Sequence, residues 1–297
     1  MLLVIGATGQ IGKHLVQDLK ARKTPFKAMV RKEAVRADLE GQGIQAVVGD
    51  FTQPPSYLKA LTGVKDVFLL TTPNRDLVQQ EGAFLTAAHK AGVRRVVRIS
   101  AIGANPSSAS PLLRIHGQCE AQLEVSGLAW TILRPSMFMQ NLASMYGESV
   151  AATATLFAPA GDARIPMVDT RDIAAVATTV LTTKDHDGLI YEITGPEAYT
   201  YADIAELLGA QLGRTVKYVD VPDDAAYHSM VDRGMSGWFA HSIITLFHHF
   251  RANAHTAVVL GTVARLTGHP ARNLPSYLKE HLQAFRTGAK SGALTHS

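Results

Sequence analysis

The sequence predicts an α/β protein built on a doubly wound parallel sheet, with a smaller, mixed and mostly helical C-terminal lobe. Three observations carry that expectation. The opening Leu2-Leu3-Val4-Ile5 is a short apolar run that reads as a strand buried on both faces. Gly6, Gly9 and Gly12 follow it directly and lead into Ile11, Leu15, Val16 and Leu19, the apolar stripe of a helix. Strand-like runs then alternate with helical ones five times, which calls for parallel pairing through right-handed crossovers.

The glycines have separate reasons to be there. Gly6 permits a tight turn, Gly9 lets the backbone approach a pyrophosphate, and Gly12 lets helix and strand pack closely. Unpaired amides and the dipole at the helix start then favour an anion. Strand before and helix after is the context this spacing requires. It predicts a Rossmann-type dinucleotide site in which Thr8, Gln10 and Ile11 complete the cradle; a turn without a ligand is the alternative.

The second strand is expected over Pro25 to Val30 and ends in Arg31-Lys32. An NAD site usually places a carboxylate at this point, for the ribose hydroxyl. Here two cations stand in its place and the first carboxylate is Glu33, so a 2′-phosphate, and NADP(H) over NAD, is expected. Solvated charges at a strand end are the plainer reading. A third strand over Gln45 to Val48 leads to Gly49-Asp50-Phe51, where Asp50 and Phe51 either border an adenine ring or form an ordinary turn. A short helix over Ser56 to Leu61 and a strand over Val67 to Leu70 follow, and the strand delivers Thr71-Thr72 to a loop. The stretch Asp76 to Ala91 reads as a helix stopped by Gly92, and Arg95 to Ile99 as a strand carrying Ser100 to the same edge. In a doubly wound sheet the ligand lies beyond the carboxyl ends of the strands, where all these loops fall.

A helix is expected from Pro111 to Ser126 and a sixth strand from Leu128 to Leu133, ending Arg134-Pro135-Ser136-Met137-Phe138. Ala151 to Ala160, rich in small residues, reads as loosely structured. Asp172 to Leu181 is read as a helix, Leu189 to Thr194 as a strand, Tyr201 to Leu212 as a helix and Val216 to Val221 as a strand. The remainder to Phe285 is mostly helical, and the tail from Thr287 reads as frayed. The expected division is a dinucleotide domain over residues 1–150 and a substrate lobe over 151–297, with 165–195 returning to the first.

Composition narrows the function. The 297 residues admit one large domain or two, and 46% hydrophobic with 18% charged residues describes a globular chain with a sizeable core. A net charge of +4 without a Lys-Arg run or interleaved aromatics does not indicate nucleic-acid binding. One cysteine, Cys119, precludes an internal disulfide framework and suits a cytoplasmic location. No signal peptide or membrane-spanning run is visible.

As a set, Gly6-Ala7-Thr8-Gly9-Gln10-Ile11-Gly12, Val30-Arg31-Lys32, Gly49-Asp50-Phe51, and His116-x-x-x-Glu120 leading to Ser126-Gly127-Leu128 resemble the NmrA-like branch of the atypical short-chain dehydrogenase/reductases. Thr131-Ile132-Leu133-Arg134-Pro135 and Asp169-Thr170-Arg171-Asp172-Ile173-Ala174 extend the resemblance. Within that branch the chain looks most like NADPH-dependent quinone and triphenylmethane-dye reductases. The resemblance implies NADP(H) held by the glycine loop and Arg31-Lys32, with Thr71 and Ser100 along it. It places Pro135, Met137 and Phe138 near the nicotinamide and a C-terminal lobe over the substrate.

One departure bears on mechanism. Typical members of the superfamily carry Tyr-x-x-x-Lys on the helix before the sixth strand. Here those two positions hold Leu112 and His116, and no Tyr occurs between Tyr57 and Tyr146. Reduction of an isolated ketone leans on a positioned proton donor; quinones, imines and conjugated dyes accept hydride more readily. Hydride transfer from NADPH to such an acceptor is therefore expected, with His116 as substrate contact or proton donor. A helix residue satisfied locally is the other reading of His116, and a non-catalytic NADP sensor is the alternative for the whole chain.

The C-terminal histidines His228, His241, His248, His249, His255, His269 and His281 have no cysteine or regularly spaced carboxylate to suggest a metal. Trp238, Phe239, Ile243, Ile244, Leu246, Phe247 and Phe250 read as a buried helix, a homodimer contact, or a flap over an aromatic substrate.

Overall fold

The structure is a computed structural model and describes residues 1–288. In chain order the elements begin β1 (Leu2–Ile5), α1 (Gly12–Ala21), β2 (Phe26–Val30), α2 (Glu33–Gly41), β3 (Ala46–Val48), α3 (Pro54–Leu61), β4 (Asp66–Leu69), α4 (Leu77–Lys90) and β5 (Arg95–Ile99). They continue with α5 (Pro111–Glu124), β6 (Ala129–Pro135), α6 (Gln140–Thr153), β7 (Thr155–Ala158), α7 (Thr170–Thr182), β8 (Leu189–Ile193), α8 (Tyr201–Leu212) and β9 (Lys217–Asp220). Five α-helices end the described residues: α9 (Asp223–Asp232), α10 (Gly237–Ala252), α11 (Thr262–Thr267), α12 (Leu274–Glu280) and α13 (Leu282–Thr287).

Seven strands form one parallel sheet in the order β3-β2-β1-β4-β5-β6-β8. The order reverses between β1 and β4, which opens the crevice at their carboxyl ends. Leu2 to Ile5 are all buried, as a central strand covered on both faces requires. One face is covered by α1 and α7, whose Leu15, Leu19, Ile173 and Val176 share a core with Val4, Phe68 and Leu133. The other face is covered by α3 and α4, where Tyr57, Leu61, Phe84 and Leu85 pack on Leu3, Val67 and Val96.

A second core lies outside the sheet. It joins α6, α8, α10, α12 and α13 through Tyr146, Val150, Tyr201, Phe247, Tyr277 and Phe285. A two-stranded parallel ribbon, β7 with β9, flanks it. The chain crosses between the two cores more than once: β8 pairs with β6, and Val263 of α11 returns to the core beneath α7.

Several expectations are corrected. Ala151 to Ala160 is not loose: residues up to Thr153 complete α6, whose Leu142, Tyr146 and Val150 repeat every fourth position, and Thr155–Ala158 is β7. The helix α2, absent from the sequence reading, buries Leu39 alone and so shows little periodicity. Most of the tail read as frayed lies outside the described residues. Among the described residues no helix is long and apolar enough to cross a membrane.

Phe84 is fully buried, with its ring centroid 5.4 Å from Tyr57 and 4.9 Å from Phe51. Phe84→Ala is expected to cost about 3–5 kcal/mol in urea unfolding. A loss below about 1 kcal/mol would show that the neighbouring rings close the gap.

Candidate active site

The loop between β1 and α1 is built by exclusion of side chains. Gly6 has φ +78°, and a Cβ on it would lie 2.6 Å from the Leu70 carbonyl oxygen. A Cβ on Gly12 would lie 2.0 Å from the Gly6 carbonyl oxygen, inside any permitted contact. Gly9 differs: the nearest atom to its added Cβ is that same oxygen at 3.3 Å, and the residue is exposed. Close packing therefore requires Gly6 and Gly12, while Gly9 keeps one side open for a ligand. No side chain caps the start of α1 and no acid stands in its first turn, so its amides and dipole favour an anion.

Arg31 and Lys32 directly follow β2 and are exposed, and Lys32 precedes α2 in an extended conformation. The nearest carboxylate in sequence, Glu33, accepts from Arg36 Nε at 2.8 Å and so is committed along α2. Past β3, Asp50 Oδ1 accepts from both the amide and the hydroxyl of Thr52, each at 2.8 Å, closing a turn. Phe51 rests against Phe84 at the rim of the crevice. Thr71 donates its hydroxyl hydrogen to Glu81 of α4, and Thr72 is exposed on the same loop.

The end of β6 leads into a strap. Met139 N donates to Val168 O at 3.0 Å and Val168 N to Met137 O at 2.9 Å, tying residues 137–139 to the segment before α7. Met137 Sδ accepts from Tyr201 of the second core at 3.5 Å, while Phe138 packs on the first. Pro135 is buried beside Ser136. The strap thus lies at the seam between the two cores. Gln10 Oε1, Ser100 Oγ and Ser136 Oγ are buried without a hydrogen-bond partner. Such orphans are rare unless a ligand or water meets them. All three belong to the glycine loop or to strand ends on this edge. With the open side of Gly9 and the uncapped α1, they fit an extended polar ligand of dinucleotide type.

His116 sits in α5, 7% exposed. Gly117 beside it is forced by packing: a Cβ there would lie 2.3 Å from the Asn105 carbonyl carbon. That contact fixes α5 on the loop after β5. Arg98 Nη1 and Nη2 each lie 3.4 Å from His116 Nδ1, and Arg98 Nε donates to Glu81 Oε2 at 2.7 Å. Burial, and secondly the Arg98 charge, push His116 down to about 3, so it is neutral at ordinary pH. The Cys119 thiol, buried one turn away, is pushed up to about 12 by burial first and then by Glu81.

Glu81 and Arg98 were not singled out from the sequence, although a signal existed. Glu81 interrupts the apolar stripe Leu77, Phe84, Leu85 and Ala88, and Arg98 stands inside a buried strand. Two charges in apolar settings imply each other as partners.

The C-terminal histidines scatter. His248 pairs with Asp223 at 2.7 Å on the surface, and His249 lies against Gly103. Among the described residues no group of three or more His, Cys, Asp or Glu could hold a metal ion. Of the aromatic segment, Phe247 and Phe250 fill the second core, and Trp238 packs near Leu77, Ile115 and Cys119, beside α5.

Sheet order, glycine loop and crevice together define a Rossmann-type α/β protein with its candidate site at the carboxyl ends of the strands. More specifically, the chain belongs to the NmrA-like family, whose profile matches residues 1–264. It is 39% identical over 285 residues to an NAD(P)H azoreductase of Xenophilus azovorans, covering 96% of this chain and 99% of that one. It is 32% identical over 286 residues to a (4-alkanoyl-5-oxo-2,5-dihydrofuran-3-yl)methyl phosphate reductase of Streptomyces griseus, with 96% and 99% covered. Among solved structures, the NADPH complex of the quinone oxidoreductase QOR2 of Escherichia coli superposes with a TM-score of 0.86 at 26% identity, covering 95% and 100%.

Two glycine variants separate packing from binding. Gly12→Ala is expected to lower the melting temperature, because the new carbon overlaps the Gly6 carbonyl. Gly9→Ala is expected to melt near the parent temperature but to bind NADPH weakly in calorimetry. Equal melting losses in both would mean that Gly9 also serves packing.

Proposed function

We propose that this NAD(P)H-dependent oxidoreductase passes hydride from NADPH to a quinone, azo or similarly conjugated acceptor, without a Tyr-Lys acid–base pair. One observation carries the reading. The α5 positions where that pair would stand hold half-buried Leu112 and a neutral, buried His116, and neither is an acid poised to protonate an unactivated carbonyl. Acceptors whose reduced form is a delocalised anion need no such acid. The azoreductase and quinone oxidoreductase relatives named above point to the same chemical class.

Bound NADPH supplies the hydride; the chain supplies placement and charge. Gly6, Thr8, Gly9, Gln10, Ile11 and Gly12 would receive the pyrophosphate at the start of α1. Arg31 and Lys32 would receive the 2′-phosphate, with Glu33 turned away to Arg36. Thr71, Thr72, Ser100, Pro135, Met137 and Phe138 would line the path toward the nicotinamide, with Asp50 and Phe51 at its adenine end. His116 would meet the acceptor.

Absorbance assays with NADPH and a panel of quinones, azo dyes, triphenylmethane dyes and imines are expected to show turnover with at least one acceptor. Cofactor binding with no oxidation by any of them would overturn the enzymatic reading and favour a sensor. Replacing Arg31 and Lys32 together by Ala is expected to weaken NADPH about 10- to 100-fold, the worth of one charge-assisted hydrogen bond, and to leave NADH nearly unchanged. Equal losses for both nucleotides would remove these cations from the phosphate. His116→Ala is expected to lower kcat with NADPH affinity intact; unchanged kcat would confine His116 to packing.

A further inference from the structure

We propose that Glu81 and Arg98 are the positioning pair for His116, holding its imidazole with hydrogen on Nε2 so that it meets the acceptor as a fixed N–H donor. The proposal rests on the reading of His116 as the residue that meets substrate. Arg98 is fully buried in the middle of β5. Its Nε donates to Glu81 Oε2 at 2.7 Å, its Nη2 to Glu81 Oε1 at 3.3 Å and its Nη1 to the Ile99 carbonyl at 3.1 Å. Those bonds leave both terminal nitrogens 3.4 Å from His116 Nδ1. A guanidinium has five donors, no acceptor, and keeps its charge. At this contact the imidazole must therefore accept, and Nδ1 carries no hydrogen.

The neutral ring then holds its hydrogen on Nε2. That nitrogen has no hydrogen-bond partner among the described residues, and His116 as a whole is 7% exposed. A second proton would have to sit on Nδ1 against the guanidinium. The surrounding charges reinforce this arrangement. Glu81 of α4 is tied to Arg98 and also accepts from Thr71 in the loop after β4. Glu120, on α5 itself, is held by Arg134 of β6 at 2.6 Å, and the Cys119 thiol stays protonated. From α10, His249 lies against Gly103. One chain of contacts thus runs from the β4 loop through α4 and β5 to α5.

The chemistry follows from a donor that does not ionise. A quinone that gains a hydride carries the new charge on a phenolate oxygen. Nε2–H donates to that oxygen without releasing its proton, and solvent supplies the proton that balances the reduction. Activity set this way is flat where an ordinary histidine would titrate.

Nitrogen NMR of the whole protein labelled at histidine, assigned with His116→Gln, tests the placement without reference to activity. The expected spectrum is the Nε2–H tautomer with no titration from about pH 5 to pH 8. In Arg98→Met the ring is expected to titrate higher, and kcat to fall about 10- to 100-fold with a new pH-dependent limb, while NADPH affinity is retained. Glu81→Gln, which keeps the shape of the pair, is expected to lie between. A parent signal on Nδ1, or a parent titration within that range, overturns the proposal even if Arg98→Met fails to fold. An unchanged kcat and pH profile in folded Arg98→Met overturns it as well. Unchanged turnover in His116→Ala with the expected tautomer would instead remove the substrate-contact reading, and the proposal with it.

Discussion

The architecture depends on one contact, the approach of the Gly12 backbone to the Gly6 carbonyl, in a space that admits no side-chain carbon. Because the helix lies this close to the strand, Ile11 at its N-cap and Leu15 and Leu19 of α1 reach the core shared with Val4 and with α7. The same closeness brings the uncapped amides of α1 to the carboxyl ends of the strands, where they would favour an anion. Packing and binding thus follow from one local geometry. It tolerates no larger residue, whereas most core positions accept substitutions of similar volume.

Much of the fold was legible because its signals are local. β1, the glycine loop and the alternation through β5 are apolar runs and helical stripes separated by turn residues, which need no knowledge of partners. Where signals weaken, the reading failed. In α2 only Leu39 is buried, so no stripe stands out. In α6 the run of small residues from Ala151 hid the repeat of Leu142, Tyr146 and Val150. The pairing of β7 with β9 joins Thr155 to Lys217 across a long interval and leaves no mark in either segment. The site divides the same way. The loops at the strand ends could be placed from topology, but the contact of Arg98 with Glu81 and His116 exists only after α4, β5 and α5 have packed.

The two cores meet where the chemistry is proposed. The strap at Met137 and Phe138 has one residue in each core, and α10 spans from Phe247 in the second core to Trp238 beside Ile115 of α5. The acceptor would lie between a rigid strand-end platform and helices held by a different set of contacts. In such a division the sheet side would set the nucleotide geometry.

The position of β8 has a consequence for how the chain can be assembled. It is the edge strand opposite β3, it covers β6, and it is reached only after α6, β7 and α7 in the chain. Until Leu189–Ile193 arrive, β6 is an open sheet edge that exposes unpaired backbone groups. The large sheet is thus finished by residues that follow α6 and β7 of the second core in the sequence. The two cores are interleaved along the chain, and long-range parallel pairing of this kind is intrinsically slow to form.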